Sequence, residues 1–95
     1  MRIVSKRRIR EFGARFPRAA EPLRHWVNAV QGADWRNPSA TKADFPSVDS
    51  VSGLTVFNVG GNKYRLIAFI HYSRQIVYIK HILTHGEYDE GEWKS

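Results

Sequence analysis

The sequence predicts an α+β fold in which N-terminal helices pack on a small, twisted antiparallel sheet. Three observations carry that prediction. Apolar residues recur at helical spacing through the first half, two glycine- and serine-marked turns cut the second half into strand-length apolar runs, and 95 residues with 42% apolar content suit one domain spanning 1–95. Helices followed by strands, without β-α-β alternation, favour an antiparallel sheet covered on one face.

In chain order, Arg2 to Val4 is expected to be a short opening strand, ended by Ser5 as an N-cap. Ile9, Phe12 and Phe16 give a first helix its apolar stripe, and Pro17 closes it. A second helix begins near Ala19, with Pro22 tolerated in its first turn, and buries Leu23, Trp26, Val27 and Val30 before Gly32 ends it. Asn37-Pro38 caps a third, short helix through Ala43, and Phe45 plugs the core behind it. Pro46 to Gly53 is expected to be a loop.

From Leu54 onward the chain LTVFNVGGNKYRLIAFIHYSRQIVYIKHILTHGEYD gives three strands joined at Gly60-Gly61 and Ser73-Arg74, then a polar tail. On the middle strand Tyr64, Leu66, Ala68 and Ile70 face the core, and Lys63 and Arg65 share the other face with Ile67, Phe69 and His71. A two-residue turn at Gly60-Gly61 places Val56 opposite Arg65. The second hairpin leaves two registers open, with Arg65 opposite Ile82 or opposite His81. In both, His85 arrives beside Asn62 and Lys63. The face bearing Lys63 and Arg65 is expected to stay open to solvent, with Tyr88 at the same end.

The charge of +6 is unevenly placed: residues 1–47 carry ten Lys/Arg against four Asp/Glu, and residues 48–95 carry five against five. Arg2, Lys6, Arg7, Arg8 and Arg10 fall in the first ten residues, which points to a polyanion, nucleic acid first, or otherwise to a merely solvated face. No apolar run approaches the ~20 residues that span a bilayer, and the N-terminus lacks a signal peptide's apolar stretch, so no membrane partner and a cytoplasmic location are expected. Without cysteine there is no thiol chemistry. His81, His85, Glu87 and Asp89 match no strong zinc-ligand order, so no metal and no cofactor are expected. Gly60-Gly61-Asn62 suits either an anion-binding nest or a hairpin turn needing positive φ. His71 and Tyr72 read as surface residues at the second turn.

The run Asn58-Val59-Gly60-Gly61-Asn62-Lys63-Tyr64-Arg65-Leu66, together with Val77-Tyr78-Ile79-Lys80 and Thr84-His85-Gly86-Glu87-Tyr88-Asp89, resembles the HigB branch of the RelE/ParE superfamily of bacterial toxins. Trp35, Pro38, Phe45-Pro46 and the early Arg-Glu-Phe extend the resemblance over nearly the whole chain. It implies a RelE-like, microbial-RNase-like fold, ribosome-dependent cleavage of mRNA, and neutralisation by a helix-turn-helix (HigA-like) antitoxin, with DNA met only through the antitoxin complex. The chain departs from the family pattern at Lys80 and His81, where Arg and Phe are expected, and at Gly86, where Ala is. Lys80 keeps the charge but loses the bidentate fork.

Cleaving RNA without a metal uses the 2′-OH as nucleophile and requires a proton acceptor, a charge clamp for the phosphoryl oxygens and a proton donor. Well-placed acid–base groups are worth roughly 10²–10⁴-fold each. Arg65 is the candidate phosphate clamp, because a guanidinium matches phosphate oxygens in a planar fork; otherwise it is a structural arginine paired to a carboxylate. Lys63 is a second cation, a base if buried beside Arg65, or simply a solvated strand lysine. His85 is the proton carrier, since free imidazole titrates at ~6.5, or else a strand-end cap. Tyr88 offers a stacking ring, a hydroxyl or plain packing, and Asp89 and Glu87 orient His85 or Lys63. Arg7, Arg8, Arg10, Asn62 and Lys80 are the candidate RNA-binding residues. Two other readings use no acid–base chemistry: a ParE-like inhibitor of a DNA topology enzyme, and a noncatalytic RNA-binding module.

Overall fold

In the computed structural model, which describes residues 1–94, the order is β1 (Arg2–Val4), α1 (Lys6–Arg15), a 3₁₀ turn (Pro17–Ala19), α2 (Ala20–Gln31), α3 (Pro38–Asp44), β2 (Asp49–Val51), β3 (Leu54–Val59), β4 (Tyr64–His71), β5 (Ile76–Thr84), α4 (His85–Glu90) and a 3₁₀ turn (Glu92–Lys94). The helices of the first half lie where the apolar stripes put them. Phe12 is buried on α1, and Leu23, Trp26 and Val30 are buried on α2. Asn37 caps α3 by accepting a hydrogen bond from the Ala40 amide at 2.9 Å. Ser5 does precede α1, yet it sits in the left-handed region and its side chain makes no capping bond.

The sheet has five strands in the order β1-β5-β4-β3-β2, and it is mixed. The three-stranded meander forms as expected, and β1 adds to β5 in parallel. The supposed loop before Gly53 contains β2, which turns back onto β3 with Ser52 and Gly53 at positive φ. No helix among the described residues is long and apolar enough to cross a membrane.

Both hairpin registers differ from the sequence-based expectation. Asn58, not Val56, lies opposite Arg65, because the loop runs through four residues, Gly60 to Lys63. Gly60 and Gly61 both take positive φ, and a Cβ on Gly60 would come within 3.2 Å of the Tyr64 ring. The positive φ favours glycine there, and a side chain would also crowd the Tyr64 ring. In the second hairpin His71 pairs with Ile76, but a bulge at Lys80 shifts the register so that Arg65 faces Leu83 and neither Ile82 nor His81. The bulge reverses the alternation of β5. Ile79 and Ile82 thereby both pack on the main core, and Leu83 turns to the other face.

The sheet consequently has two apolar faces. Tyr64, Leu66, Ala68 and Ile70 meet α1 and α2 through Phe12, Leu23, Trp26 and Val30, as the alternation predicts. On the opposite face Val56 and Ile67 are covered by Trp93 and flanked by Leu83 and Tyr88. The tail beyond Thr84 is therefore not an irregular polar segment. It forms α4 and a 3₁₀ turn, whose side chains close part of the face that was expected to be open.

Candidate active site

The site is assembled where β5 ends and α4 begins. The first residue of α4 is His85, whose amide bonds to the Lys63 carbonyl at 2.9 Å, tying the helix start to the β3–β4 loop. Thr84 stops the strand with a reciprocal cap: its hydroxyl accepts from the Glu87 amide at 3.2 Å, and Glu87 accepts from the Thr84 amide at 2.9 Å. A threonine followed three residues later by glutamate is a helix-start signal legible in the sequence. It makes a helix of what reads as a polar tail in the sequence. His81 lies on β5 and His85 on α4, and no described group of three or more His, Cys, Asp or Glu is placed to hold a metal.

Arg65 and His85 meet directly. Nη2 of Arg65 lies 3.0 Å from Nδ1 of His85, and Nε2 of His85 lies 3.0 Å from the Asp89 carboxylate one turn along α4. A guanidinium only donates, so Nδ1 accepts and the neutral ring carries its proton on Nε2, directed at Asp89. The resulting chain is a donor, an imidazole of fixed tautomer and a carboxylate.

Arg65 is 8% exposed, so the open face expected around it does not exist. The guanidinium is covered by the Tyr88 ring, with its carbon 5.5 Å from the ring centroid, and Tyr88 stacks at 5.2 Å on Trp93. The charge is not left without partners. Arg65 also donates to the Asn62 carbonyl at 3.3 Å, the Asn62 side-chain oxygen at 2.7 Å and the Tyr64 carbonyl at 3.2 Å. Of the partners of the guanidinium, Asn62 is exposed and His85 is half-buried.

The remaining candidates fall into two groups. Lys63 is exposed on the loop, so the burial that was to make it a base is absent. Tyr88, with Trp93 and Arg65 both against its ring, is a fixed wall and not a free stacking surface. Lys80 is exposed at the bulge, its ammonium 5.8 Å from the Tyr78 ring centroid. Arg8 and Lys80 both act on His81; burial first, and then these two cations, hold its imidazole below the ordinary pKa of 6.5. Arg7 points elsewhere and pairs with Glu11 at 3.8 Å across exposed surface, and Arg10 is exposed. The β3–β4 loop and α4 thus gather Lys63, Arg65, His85 and Tyr88. Arg8 and Lys80 form a separate basic rim beside β5.

Two contributors escape a reading of the sequence alone. Trp93 covers the second apolar face, and Arg15 reaches the Glu87 carboxylate at 3.8 Å. Gly91, at φ 76°, ends α4 and lets the chain fold Trp93 back. A glycine after a capped segment, followed two residues on by tryptophan, was the available signal. His71 accepts from the Arg74 amide at 3.3 Å, and Tyr72, expected at the surface, is half-buried and hydrogen-bonded to the Thr41 hydroxyl at 3.1 Å.

An α+β fold of helices on a five-stranded mixed sheet is the architecture expected of a RelE-like toxin. Comparison with known proteins agrees. Residues 19–91 match the HigB toxin family, described as the RelE-like toxic component of a toxin-antitoxin system. The mRNA interferase toxin HigB of Escherichia coli strain K12 is 32% identical over 92 residues, covering 94% of this chain and 88% of that protein. The mRNA interferase HigB of Escherichia coli O6:H1 is 31% identical over 93 residues, covering 95% and 90%. The chain belongs to the HigB toxin family of RelE-like toxins.

Proposed function

We propose that this toxin is a ribosome-dependent endoribonuclease that cuts mRNA by metal-independent attack of the 2′-OH on the adjacent phosphate. The observation that carries the reading is the hydrogen-bonded sequence Arg65–His85–Asp89. A protein that acted only by blocking a partner has no need of an imidazole held in one tautomer between a cation and a carboxylate.

In the resting site Nδ1 of His85 is occupied by Arg65. An incoming phosphate competes for the same guanidinium edge, and charge-assisted bonds to phosphate are stronger than bonds to a neutral imidazole. Arg65 then turns its donors to the phosphoryl oxygens, and Nδ1 is released to accept the 2′-OH proton. The imidazolium that forms keeps its Nε2–H on Asp89, which stabilises it as the carboxylate does in a catalytic triad. The 2′-oxygen bonds to phosphorus and the P–O5′ bond breaks, leaving a 2′,3′-cyclic phosphate and a 5′-oxygen that takes up a proton. Lys63 and Tyr88 bring the ammonium and the phenol that can supply it. Preorganised positive charge at the phosphoryl oxygens contributes several kcal/mol to such a step.

The ribosome is the platform that presents the mRNA, met by the basic α1 and the rim of Arg8 and Lys80; Asn62 contacts the RNA as it gives up Arg65. The cytoplasm is the compartment where ribosome and mRNA are found together. A HigA-like helix-turn-helix antitoxin neutralises the toxin.

Mapping RNA ends after induced expression tests this reading. Growth arrest with mRNAs cut to cyclic-phosphate ends, both relieved by His85→Ala, supports it. Arrest with intact transcripts and broken DNA replaces it with inhibition of a topology enzyme, and unaffected growth replaces it with a noncatalytic RNA-binding role.

A further inference from the structure

We propose that Phe69 and Tyr78 form a base-stacking subsite for single-stranded RNA, on the same sheet face as Arg65 and beyond the cleaved nucleotide. This inference rests on the nuclease reading for its biological sense, and its test is separable from that reading.

Phe69 is 40% exposed, the one large hydrophobic residue that stands exposed among those described. It lies two pleats from Arg65 on β4, with Ile67 between them. Ile67 is sealed under Trp93, so the cover formed by α4 and the following turn ends before Phe69 is reached. The Tyr78 ring is 6.3 Å away at 34°, and the His71 ring meets Phe69 edge-on at 6.4 Å. Lys80 stands over Tyr78.

The surroundings select the partner. β1, β4 and β5 contain no Asp or Glu, whereas Arg2 and Lys80 are exposed on them. Aromatic rings on a sheet face beside cations bind single strands, because every base offers a π-face and every linkage a negative charge. A protein-docking surface would need a broad exposed apolar patch, and among the described residues Phe69 is the one large hydrophobic that is exposed. Four residues of strand separate Phe69 from Arg65, about 13 Å. That places the subsite at neighbours of the nucleotide whose phosphate Arg65 holds.

The test uses the full chain and a 2′-O-methyl oligoribonucleotide, which cannot be cut through its 2′ position, carrying 2-aminopurine at successive positions. Phe69→Leu keeps an apolar side chain without a ring, and Phe69→Trp keeps the ring. Loss of one stacked base weakens binding by about 5- to 150-fold. Phe69→Leu and Tyr78→Leu are expected in that range, with fluorescence quenching lost at one register, while Phe69→Trp binds as tightly as the unmodified protein. Binding by Phe69→Leu equal to that of the unmodified protein, or no binding by the latter, overturns the subsite. So does a Phe69→Leu defect confined to co-purification with the antitoxin, which assigns the face to a protein instead. Cut transcripts on expression of the unmodified chain keep the nuclease reading standing whatever Phe69→Leu does. Intact transcripts together with ring-dependent binding remove the nuclease reading and leave the subsite.

Discussion

Nη2 of Arg65 stands 3.0 Å from Nδ1 of His85, and this contact fixes the tautomer of the neutral imidazole and one of the partners of the buried guanidinium. The contact spans 20 residues of sequence, and two local features make it possible. The bulge at Lys80 sets Arg65 opposite Leu83, and the Thr84–Glu87 cap starts a helix at the next residue. An uninterrupted β5 would send residue 85 onward along the strand, away from the guanidinium.

The tautomer is directly measurable. Nitrogen-15 spectra of the free protein, recorded where His85 is neutral, are expected to show a protonated Nε2 and a bare Nδ1. Arg65→Lys removes the fork and weakens that preference. The same substitution is expected to lower single-turnover cleavage by about 100-fold or more, as loss of a positioned oxyanion donor does elsewhere. The melting temperature is expected to fall as well, because carbonyls of Asn62 and Tyr64 lose a charged donor worth ~1.5–3 kcal/mol. Cleavage by Arg65→Lys at the unmodified rate would show that the fork is not used on phosphate.

Much of this arrangement is legible in the sequence. The alternation Tyr64, Leu66, Ala68, Ile70 names the core face of β4 correctly, and the apolar stripes place α1 and α2. The expected arrival of His85 at the start of β4 is also found, because hairpin reversal brings the exit of β5 there. Its direct contact with Arg65 needs the bulge and the cap as well. The register itself is not legible. A four-residue loop and a two-residue loop keep the same faces, since the shift between them is even, so alternation cannot tell them apart. The bulge leaves a trace that alternation alone misreads: Ile79, Ile82 and Leu83 cannot all be buried on an unbroken strand unless its two faces are both covered. Both are, and the second cover is a segment whose polar letters, HGEYDEGEW, conceal a capped helix and a tryptophan lid.

The cap gives the next prediction. Thr84→Val preserves shape and removes the hydroxyl that holds the Glu87 amide, so it is expected to cost about 1 kcal/mol of stability. Its effect on cleavage is expected to exceed its effect on folding, because α4 carries His85 as its first residue and Asp89 one turn later. Thr84→Ser restores the acceptor and is expected to recover both properties. Thermal melts paired with cleavage rates check this, and a Thr84→Val protein that melts lower but cuts normally would detach the cap from the site.

His81 predicts a pH dependence with a definite sign. Burial, followed by Arg8 and Lys80, disfavours its charged form, so the folded protein binds this proton less readily than the unfolded chain does. Its contribution is present above pH ~6.5 and is lost as pH falls below that value toward the depressed folded pKa. Melting temperature is therefore expected to drop between pH 7.5 and pH 5 more steeply for the unmodified protein than for His81→Gln, which cannot titrate. Arg8→Gln removes one of the two cations and is expected to give an intermediate slope. Parallel curves for all three proteins would mean that His81 ionises as freely folded as unfolded.

The basic helix offers the last test, and its geometry ranks three arginines that the sequence treats alike. Arg8 and Arg10 are two residues apart on α1, about 200° around the helix axis, so they cannot both meet one flat surface. Arg8 is the member turned toward β5, where it joins Lys80 beside His81. Arg7 is partly engaged by Glu11, although both are largely exposed and the pair contributes little. Removing one phosphate-bound cation reduces the slope of log affinity against log salt by about 0.7–0.9. Neutralising Arg7, Arg8 and Arg10 together is expected to weaken ribosome association and to flatten that slope between roughly 50 and 200 mM salt. Of the three arginines, Arg8 is expected to account for the largest share, since it stands with Lys80 beside His81. Lys80→Gln is expected to flatten the slope as Arg8→Gln does. Ribosome pelleting across that salt series measures it, and a triple variant with an unchanged slope would assign the basic helix to solubility alone.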